Sequence, residues 1–461
     1  MSRVHYYFLL CCCLPSFIAS AQNPTLNITS STIAGEIATS DNSFTSNGCL
    51  LSIGAYIKAR ANTDFSPLPS PPILSKIKLL VTAIGPNVNL GGAATEQPLS
   101  LTDQPLYSAV VSLGGGGAVA IRYRIPQTEM TSYAWKAGTY TTGLTFTSPG
   151  GSLCLGTSTF PATLKVIVNP FIVLSTPPSD LTLTVNDLKY FRTTPLSGSH
   201  TLPFSYTVPL GLHVKTAAVN FAYTNGYSGA SDPNTATGNV SANISAPVTG
   251  AAIALSTSYQ NLSPAGGYAV PTGNNQTNTV TYSITPATLK AAFIQKGSYT
   301  TTLNYEAFDA GTTPLAGSVQ QNAALVINVS DLGALQASSD LTLSFNNVTD
   351  YTNGVSASLV NALTISKTTP YDVYVKASSD LVNGSNSIPV SCISLASDTG
   401  DPTVTAVTLS TASQKIISAA APVIDRQVAL KYSITSDKTA QILGKPAGTY
   451  TAGITYSFVA L

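Results

Sequence analysis

In the stretch SDLTLTVN, Leu181, Leu183 and Val185 alternate with polar residues, and SDLTLSFN repeats the arrangement with Leu341, Leu343 and Phe345. A period of two sends alternate side chains to opposite faces of a strand, so each stretch predicts a strand with one buried face. Thr, Val, Ile and Tyr dominate comparable stretches elsewhere, as a pleated, half-buried surface favours. Turn chemistry punctuates them: SPGG at Ser148, PAGG at Pro264 and VNGSN at Val382. Helical patterning is confined to PQTEMTSYAWKAG, PATLKAAFIQKG and SDKTAQILGKPAG, each long enough for one or two turns.

These elements recur in a fixed order. KAGTYTTGLTF from Lys136, KGSYTTTLNY from Lys296 and PAGTYTAGITYSF from Pro446 are versions of one phrase. Tyr123, Tyr282 and Tyr432 stand 15, 15 and 16 residues before the phrase glycines Gly138, Gly297 and Gly448. Lys58 (AYIKA), Lys215 (LHVKT) and Lys376 (VYVKA) stand 80, 82 and 72 residues before them. Three ordered anchors imply tandem units with loops of varied length. Each unit ends as strand, short helical turn, Gly-x-Tyr, strand. The glycine permits a sharp re-entry into the sheet, including a positive φ. Two residues later the tyrosine starts the next strand, its ring entering the core and its hydroxyl bonding the corner backbone, as in the tyrosine corner of immunoglobulin-like sandwiches. Tyr140, Tyr299 and Tyr450 are therefore expected to be largely buried and to open late strands. The expected fold is all-β: three tandem immunoglobulin-like antiparallel β-sandwich domains, at 22–169, 170–330 and 331–461.

Composition adds a compartment. Arg3, the apolar run VHYYFLLCCCLPSFI and the small residues Ala19, Ser20 and Ala21 form the pattern of a secretory signal over residues 1–21. No later run is long and apolar enough to span a membrane. Without Arg3 the chain carries 20 basic and 20 acidic residues, and only 9% of the whole chain is charged, so no basic patch points to nucleic acid or an anionic membrane. Hydrophobic residues make up 44%, enough to bury real cores rather than leave the chain disordered. Of the six cysteines, Cys49, Cys154 and Cys392 lie outside the signal. Secretion permits disulfides. Cys49 and Cys154, both flanked by leucines, could pair, closing a loop worth up to ~4.7 kcal/mol in the chain-entropy view. Cys392 then reads as a buried small hydrophobe.

Candidate chemistry is sparse. Outside the signal the histidines are His200 and His213, with no GxSxG, HExxH or CxxC beside them. His213 falls in the slot that Tyr56 and Tyr374 hold in the matching strands, and reads as a partly buried strand residue. Acids are scattered singly, without a pair suited to glycoside hydrolysis. SDLVNGSN misses the EF-hand spacing and reads as a turn. LGGGG (Gly114–Gly117) lacks the Lys-Ser/Thr of a phosphate loop and reads as a hairpin. Trp135, the sole tryptophan, reads as a core plug beside the first corner, with sugar stacking as the other reading. No enzyme, cofactor or metal site is expected.

The ending PAGTYTAGITYSF resembles the terminal motif of spore-coat-U-like and chaperone–usher pilin domains, immunoglobulin-like proteins of the Gram-negative surface. The resemblance centres on 331–461, with its opening DLTL and this ending. It implies a secreted structural or adhesive cell-surface protein, a fimbria-like subunit or adhesin. The chain departs from such subunits in holding three domains and in leaving the third with Cys392 alone. The other reading is an extracellular array of carbohydrate- or protein-binding modules, with glycans or surface proteins as partners and no fibre.

One asymmetry among the units bears on partners. After their corners, the first two units continue into further strands, ATLKVIV (Ala162–Val168) and AALVINV (Ala323–Val329), whereas the third reaches Leu461 directly after ITYSFVAL. The third unit is therefore expected to be one strand short and to accept a strand from itself or a related subunit. NPTLNITSS, with Leu26 and Ile28, is a candidate self-donor; the alternative is that the extra strand serves only to link one domain to the next.

Overall fold

The computed structural model describes residues 23–38, 42–46, 51–67, 71–85, 88–114, 117–150 and 156–461. The signal segment, Cys49 and Cys154 lie outside them. Three hydrophobic clusters lie in succession along the chain, each between two sheets.

In the first sandwich the principal strands are β1 (Thr25–Ile28), β2 (Leu51–Ala61), β3 (Lys78–Ile84), β4 (Gln104–Leu113), β5 (Ala118–Ile125), β6 (Gly138–Gly150) and β7 (Gly156–Val168). One sheet runs β1-β7-β6-β2-β4 and the other is built on β3 and β5, with shorter strands at the margins. β4 and β5, which flank the glycine-rich stretch, lie in different sheets and so do not pair as a hairpin; residues 115 and 116 lie outside the described residues. The second sandwich repeats the plan with β8 (Leu181–Val185), β9 (Leu196–Tyr206), β10 (Leu210–Thr216), β11 (Ser241–Ala246), β12 (Asn275–Ile284), β13 (Gly297–Asp309) and β14 (Val319–Val329). Its sheets run β8-β14-β13-β10 and β9-β12-β11. Ladders are antiparallel except β1 on β7 and β8 on β14, where the unit's opening strand lies parallel to its last.

The third sandwich contains β15 (Gly333–Ala337), β16 (Gly354–Lys367), β17 (Tyr371–Ala377), β18 (Ser394–Ser397), β19 (Gln414–Ala420), β20 (Val423–Thr435) and β21 (Ile454–Ala460). One sheet runs β15-β16-β20-β18; the other holds only β19-β17-β21. Among the described residues α-helix is limited to the short α1 (Gln127–Thr131), α2 (Pro286–Ala292) and α3 (Val348–Asn353), and 3-10 turns include one at Ser436–Gln441. Two of the three candidate stretches become α1 and α2, and the third becomes the 3-10 turn. Thr285 caps α2, its hydroxyl accepting from the Thr288 N–H with Pro286 at the first turn.

Ladder register corrects one anchor. Tyr305 on β13 faces Val214, and Tyr456 on β21 faces Val375, but the matching Phe146 on β6 faces Ala59. Lys58 therefore aligns with His213 and Tyr374, not with Lys215 and Lys376; a two-residue slip keeps the inside-outside alternation, which is all that the sequence pattern encodes.

The tyrosines upstream of each corner fill the cores: Tyr123, Tyr282 and Tyr432 are all buried. In the second sandwich Tyr282 and Tyr305 join their hydroxyls at 2.5 Å, and His200 Nδ1 bonds Tyr305. Burial holds the His200 pKa below the usual value for histidine, against smaller opposing effects of the Ser179 backbone and Asp180. A histidine whose folded pKa is depressed takes up its proton more readily unfolded, so its contribution is full above about pH 6.5 and declines as pH falls below that. The second sandwich should accordingly lose unfolding midpoint between pH 7 and 5. His200→Leu, which copies the matching Leu359 of the third sandwich, should flatten that profile; an unchanged slope would remove His200 as the cause.

Candidate functional site

The three corners share their hydrogen-bond geometry. Tyr140, Tyr299 and Tyr450 donate their hydroxyls to the carbonyls of Lys136, Gln295 and Pro446, four residues back, at 3.1, 2.9 and 2.9 Å. Gly138, Gly297 and Gly448 have φ of 156°, 147° and 150°. At Gly297 a Cβ would also stand 2.5 Å from the Tyr223 ring and 2.7 Å from the Thr224 carbonyl oxygen.

The third corner differs in packing. Tyr140 and Tyr299 open β6 and β13 and are 6% and 0% exposed. Tyr450 is half-buried and lies outside any strand, four residues before β21 begins. The expectation that all three tyrosines are buried at the head of a strand fails there, and the reason lies beside it. In the second sandwich β13 is flanked by β14, whose Ala323, Leu325, Ile327 and Val329 are buried. In the third, β21 pairs with β17 on one side, and among the described residues no strand pairs with the other.

The consequence is visible in every side chain that such a strand would cover. Leu303, Tyr305 and Ala307 of β13 are buried; the matching Ile454, Tyr456 and Phe458 of β21 are only half-buried, although they touch the third core. The opening segment is affected too. Leu183 and Val185 are buried in β8, which pairs only with β14. Leu341, Leu343 and Phe345 lie half-buried against the third core and form no strand, correcting the expectation for SDLTLSFN. Alternation suffices to turn one face inward, but a ladder needs a neighbour. The third sandwich thus has the arrangement of the second with β14 removed: a seven-residue strand with one edge unpaired among the described residues, bordered by half-exposed apolar side chains.

The remaining candidates stay apart from this edge. His213 packs on Phe308 and Tyr259. Trp135 is buried, its indole N–H donating to the Met130 carbonyl at 3.0 Å. Cys392 is a free, buried thiol whose pKa burial pushes up to about 11, a poor nucleophile. Among the described residues no group of three or more His, Cys, Asp or Glu could hold a metal ion, and no helix is long and apolar enough to cross a membrane.

Two threonines that sequence reasoning passed over build the junctions. Thr207 accepts the Phe171 N–H and donates to the Asn169 carbonyl, while its own carbonyl takes the Ala137 N–H. Thr368 does the same with Leu332, Ser330 and Lys296. Both precede a proline by two residues, Thr207-Val208-Pro209 and Thr368-Thr369-Pro370; that shared spacing was the available signal.

No protein-family model and no curated protein matches this chain. Among solved structures it is similar to the CsuE tip adhesion subunit in complex with CsuC, from the archaic chaperone–usher Csu pili of Acinetobacter baumannii, at 14% identity and a TM-score of 0.30 over 62% of this chain and 99% of that one. CfaE, the adhesive subunit of the CFA/I fimbria of enterotoxigenic Escherichia coli, aligns at 11% identity and a TM-score of 0.28, covering 68% and 98%. The CupB6 tip adhesin of Pseudomonas aeruginosa aligns at 11% and 0.27, covering 64% and 91%. What the third sandwich can bind follows from its own geometry.

Proposed function

We propose that this chain is a secreted structural or adhesive cell-surface protein, a fimbria-like subunit or adhesin of three units (22–169, 170–330 and 331–461), whose third sandwich is completed by a strand from another polypeptide. The bare edge of β21 carries this reading. An open edge offers a row of unpaired N–H and C=O groups, and here it borders half-exposed apolar side chains. The sister units supply the chemistry of the occupant. In register, Val166 faces Tyr140 and Ile327 faces Tyr299, with Leu164 and Leu325 two residues earlier. The partner therefore offers an extended segment with apolar residues at every second position, running antiparallel to β21.

This chain's own N-terminal segment is a poor donor. Thr25–Ile28 pairs with β7, and Leu26 and Ile28 are both 0% exposed in the first core, so release would uncover that core. A separate or related subunit is the favoured source. Secretion rests on the signal pattern of residues 1–21.

A synthetic peptide copying Val319–Val329 (VQQNAALVINV), which in the register of the second sandwich reaches from the corner to the position opposite Phe458, tests the reading directly. Titrated into the full chain, it should bind saturably and stabilise the third sandwich, by about 2.7 kcal/mol when free peptide is 100-fold above its Kd. Serine at the Leu325 and Ile327 positions of the peptide, or Ile454→Glu in the protein, should abolish binding. Equal binding by the serine peptide, or none by the parent, overturns strand addition.

A further inference from the structure

Beside the open edge lies a buried cation. Lys367, at the end of β16, is 6% exposed and pairs with Asp331, a carboxylate in the link between the second and third sandwiches. The same carboxylate lies 3.6 Å from Lys296, the residue before corner glycine Gly297 of the second sandwich, whose N–H donates to Thr368. On its other side the Lys367 ammonium lies 5.6 Å from the centroid of the Phe458 ring, and Phe458 belongs to β21. Gly333, the ladder partner of Lys367, leaves room for that ring: a Cβ there would stand 2.8 Å from it. One continuous set of contacts thus runs from the bare edge through Phe458, Lys367 and Asp331 to Lys296.

The first junction lacks this device. Its threonine clamp is the same, but Ala137 and Pro170 stand where Lys296 and Asp331 do, and a neutral Asn274 supplies the polar contacts. On β13 the place of Phe458 is taken by Ala307, with β14 beside it. The ionic contact therefore occurs at the junction next to the open edge, and its cation touches the edge strand.

Resting on the strand-addition reading, we propose that occupancy of the β21 edge is transmitted through Phe458 and Lys367 to the junction between the second and third sandwiches, which stiffens when the edge is filled. With the edge bare, one side of the Phe458 ring faces water and the ring is free to leave the ammonium. A strand laid over β21 covers the ring, removes that water and holds the ring on Lys367. Cation–π attraction strengthens as it is desolvated, and the ion pair on the ammonium's other side is fixed with it. Linkage makes the effect reciprocal: a junction that favours the filled edge is favoured by it.

Hydrogen exchange on the full chain, with and without the VQQNAALVINV peptide, whose Val319 position falls opposite Phe458, tests this. Exchange at the Lys296 and Leu332 amides should slow by roughly 5-fold on binding, the low end of ordinary site-to-site coupling. The Ala137 and Phe171 amides of the first junction should not change. Lys367→Met should abolish the slowing while the peptide still binds. Should Lys367→Met fail to fold, Asp331→Asn, in the exposed link, should weaken peptide binding by the same factor that the peptide slows exchange in the parent. Peptide binding without slowing at the second junction, or with equal slowing at both, overturns the coupling and leaves strand addition standing. Absence of binding overturns both.

Discussion

Tyr299→Ala is expected to destabilise the second sandwich by about 3–5 kcal/mol, the range for deleting a large aromatic from a packed core. Tyr450→Ala, the same change at the same motif position, should cost under about 2 kcal/mol in the chain alone. Tyr299 is 0% exposed, its ring centroid 5.0 Å from Tyr223 and 5.1 Å from Phe293, with its hydroxyl on the Gln295 carbonyl. Removing it leaves a cavity that β14 and the corner cannot collapse to fill. Tyr450 keeps the hydroxyl bond to Pro446, but part of its ring already faces solvent, so truncation forfeits less burial. With the VQQNAALVINV peptide bound, the Tyr450→Ala penalty should rise toward that of Tyr299→Ala. Denaturant unfolding of the two variants, with and without peptide, checks this. Equal costs in the absence of peptide would mean that the third corner is already closed.

That contrast indicates what the sequence could and could not convey. The Gly-x-Tyr phrase, the upstream tyrosines and the period-two runs are local patterns, and local patterns are enough to specify strands, corners and the inward face. They say nothing about what lies next to a strand. SDLTLTVN and SDLTLSFN are nearly identical, yet the first becomes β8 and the second no strand, because β14 exists beside one and has no counterpart among the described residues beside the other. Lys58 misled for a related reason: a slip of two residues preserves alternation, so only the ladder with β6 reveals it. The junctions were hidden because their residues look ordinary. Thr207, Thr368 and Asn274 sit in loop-like contexts rich in Thr, Asn and Pro, where capping and turn roles are the common expectation. Asn274 meets Trp135 across 139 residues of chain, a distance at which no local signal operates. Lys367 was equally unremarkable as a single charge at a strand end.

Trp135 and Asn274 meet at the first junction, and truncating each should produce distinguishable losses. The Trp135 side chain serves the first core: it is 0% exposed, meets Tyr133 edge-on with ring centroids 5.1 Å apart, and its indole N–H is satisfied within the same sandwich. Trp135→Ala should cost about 3–5 kcal/mol, with the second sandwich little changed, because the junction bonds use only the Trp135 backbone. The Asn274 side chain serves the junction itself. Fully buried, it accepts the Trp135 N–H at 3.0 Å and donates to the carbonyls of Trp135 and Tyr206, both at 2.8 Å. Asn274→Gly retains the left-handed backbone, φ 59°, without strain and deletes the side chain alone. Each buried group left without a partner costs about 1–3 kcal/mol, and that loss should be felt by both sandwiches, separating their unfolding transitions in calorimetry. Since Trp135 is the sole tryptophan, its fluorescence follows the first sandwich in the Asn274→Gly protein. A tryptophan transition that stays superimposed on the calorimetric transition of the second sandwich, with the midpoint unmoved, would mean that Asn274 does not join the two; a Trp135→Ala loss below about 1 kcal/mol would likewise remove the ring from the packed core.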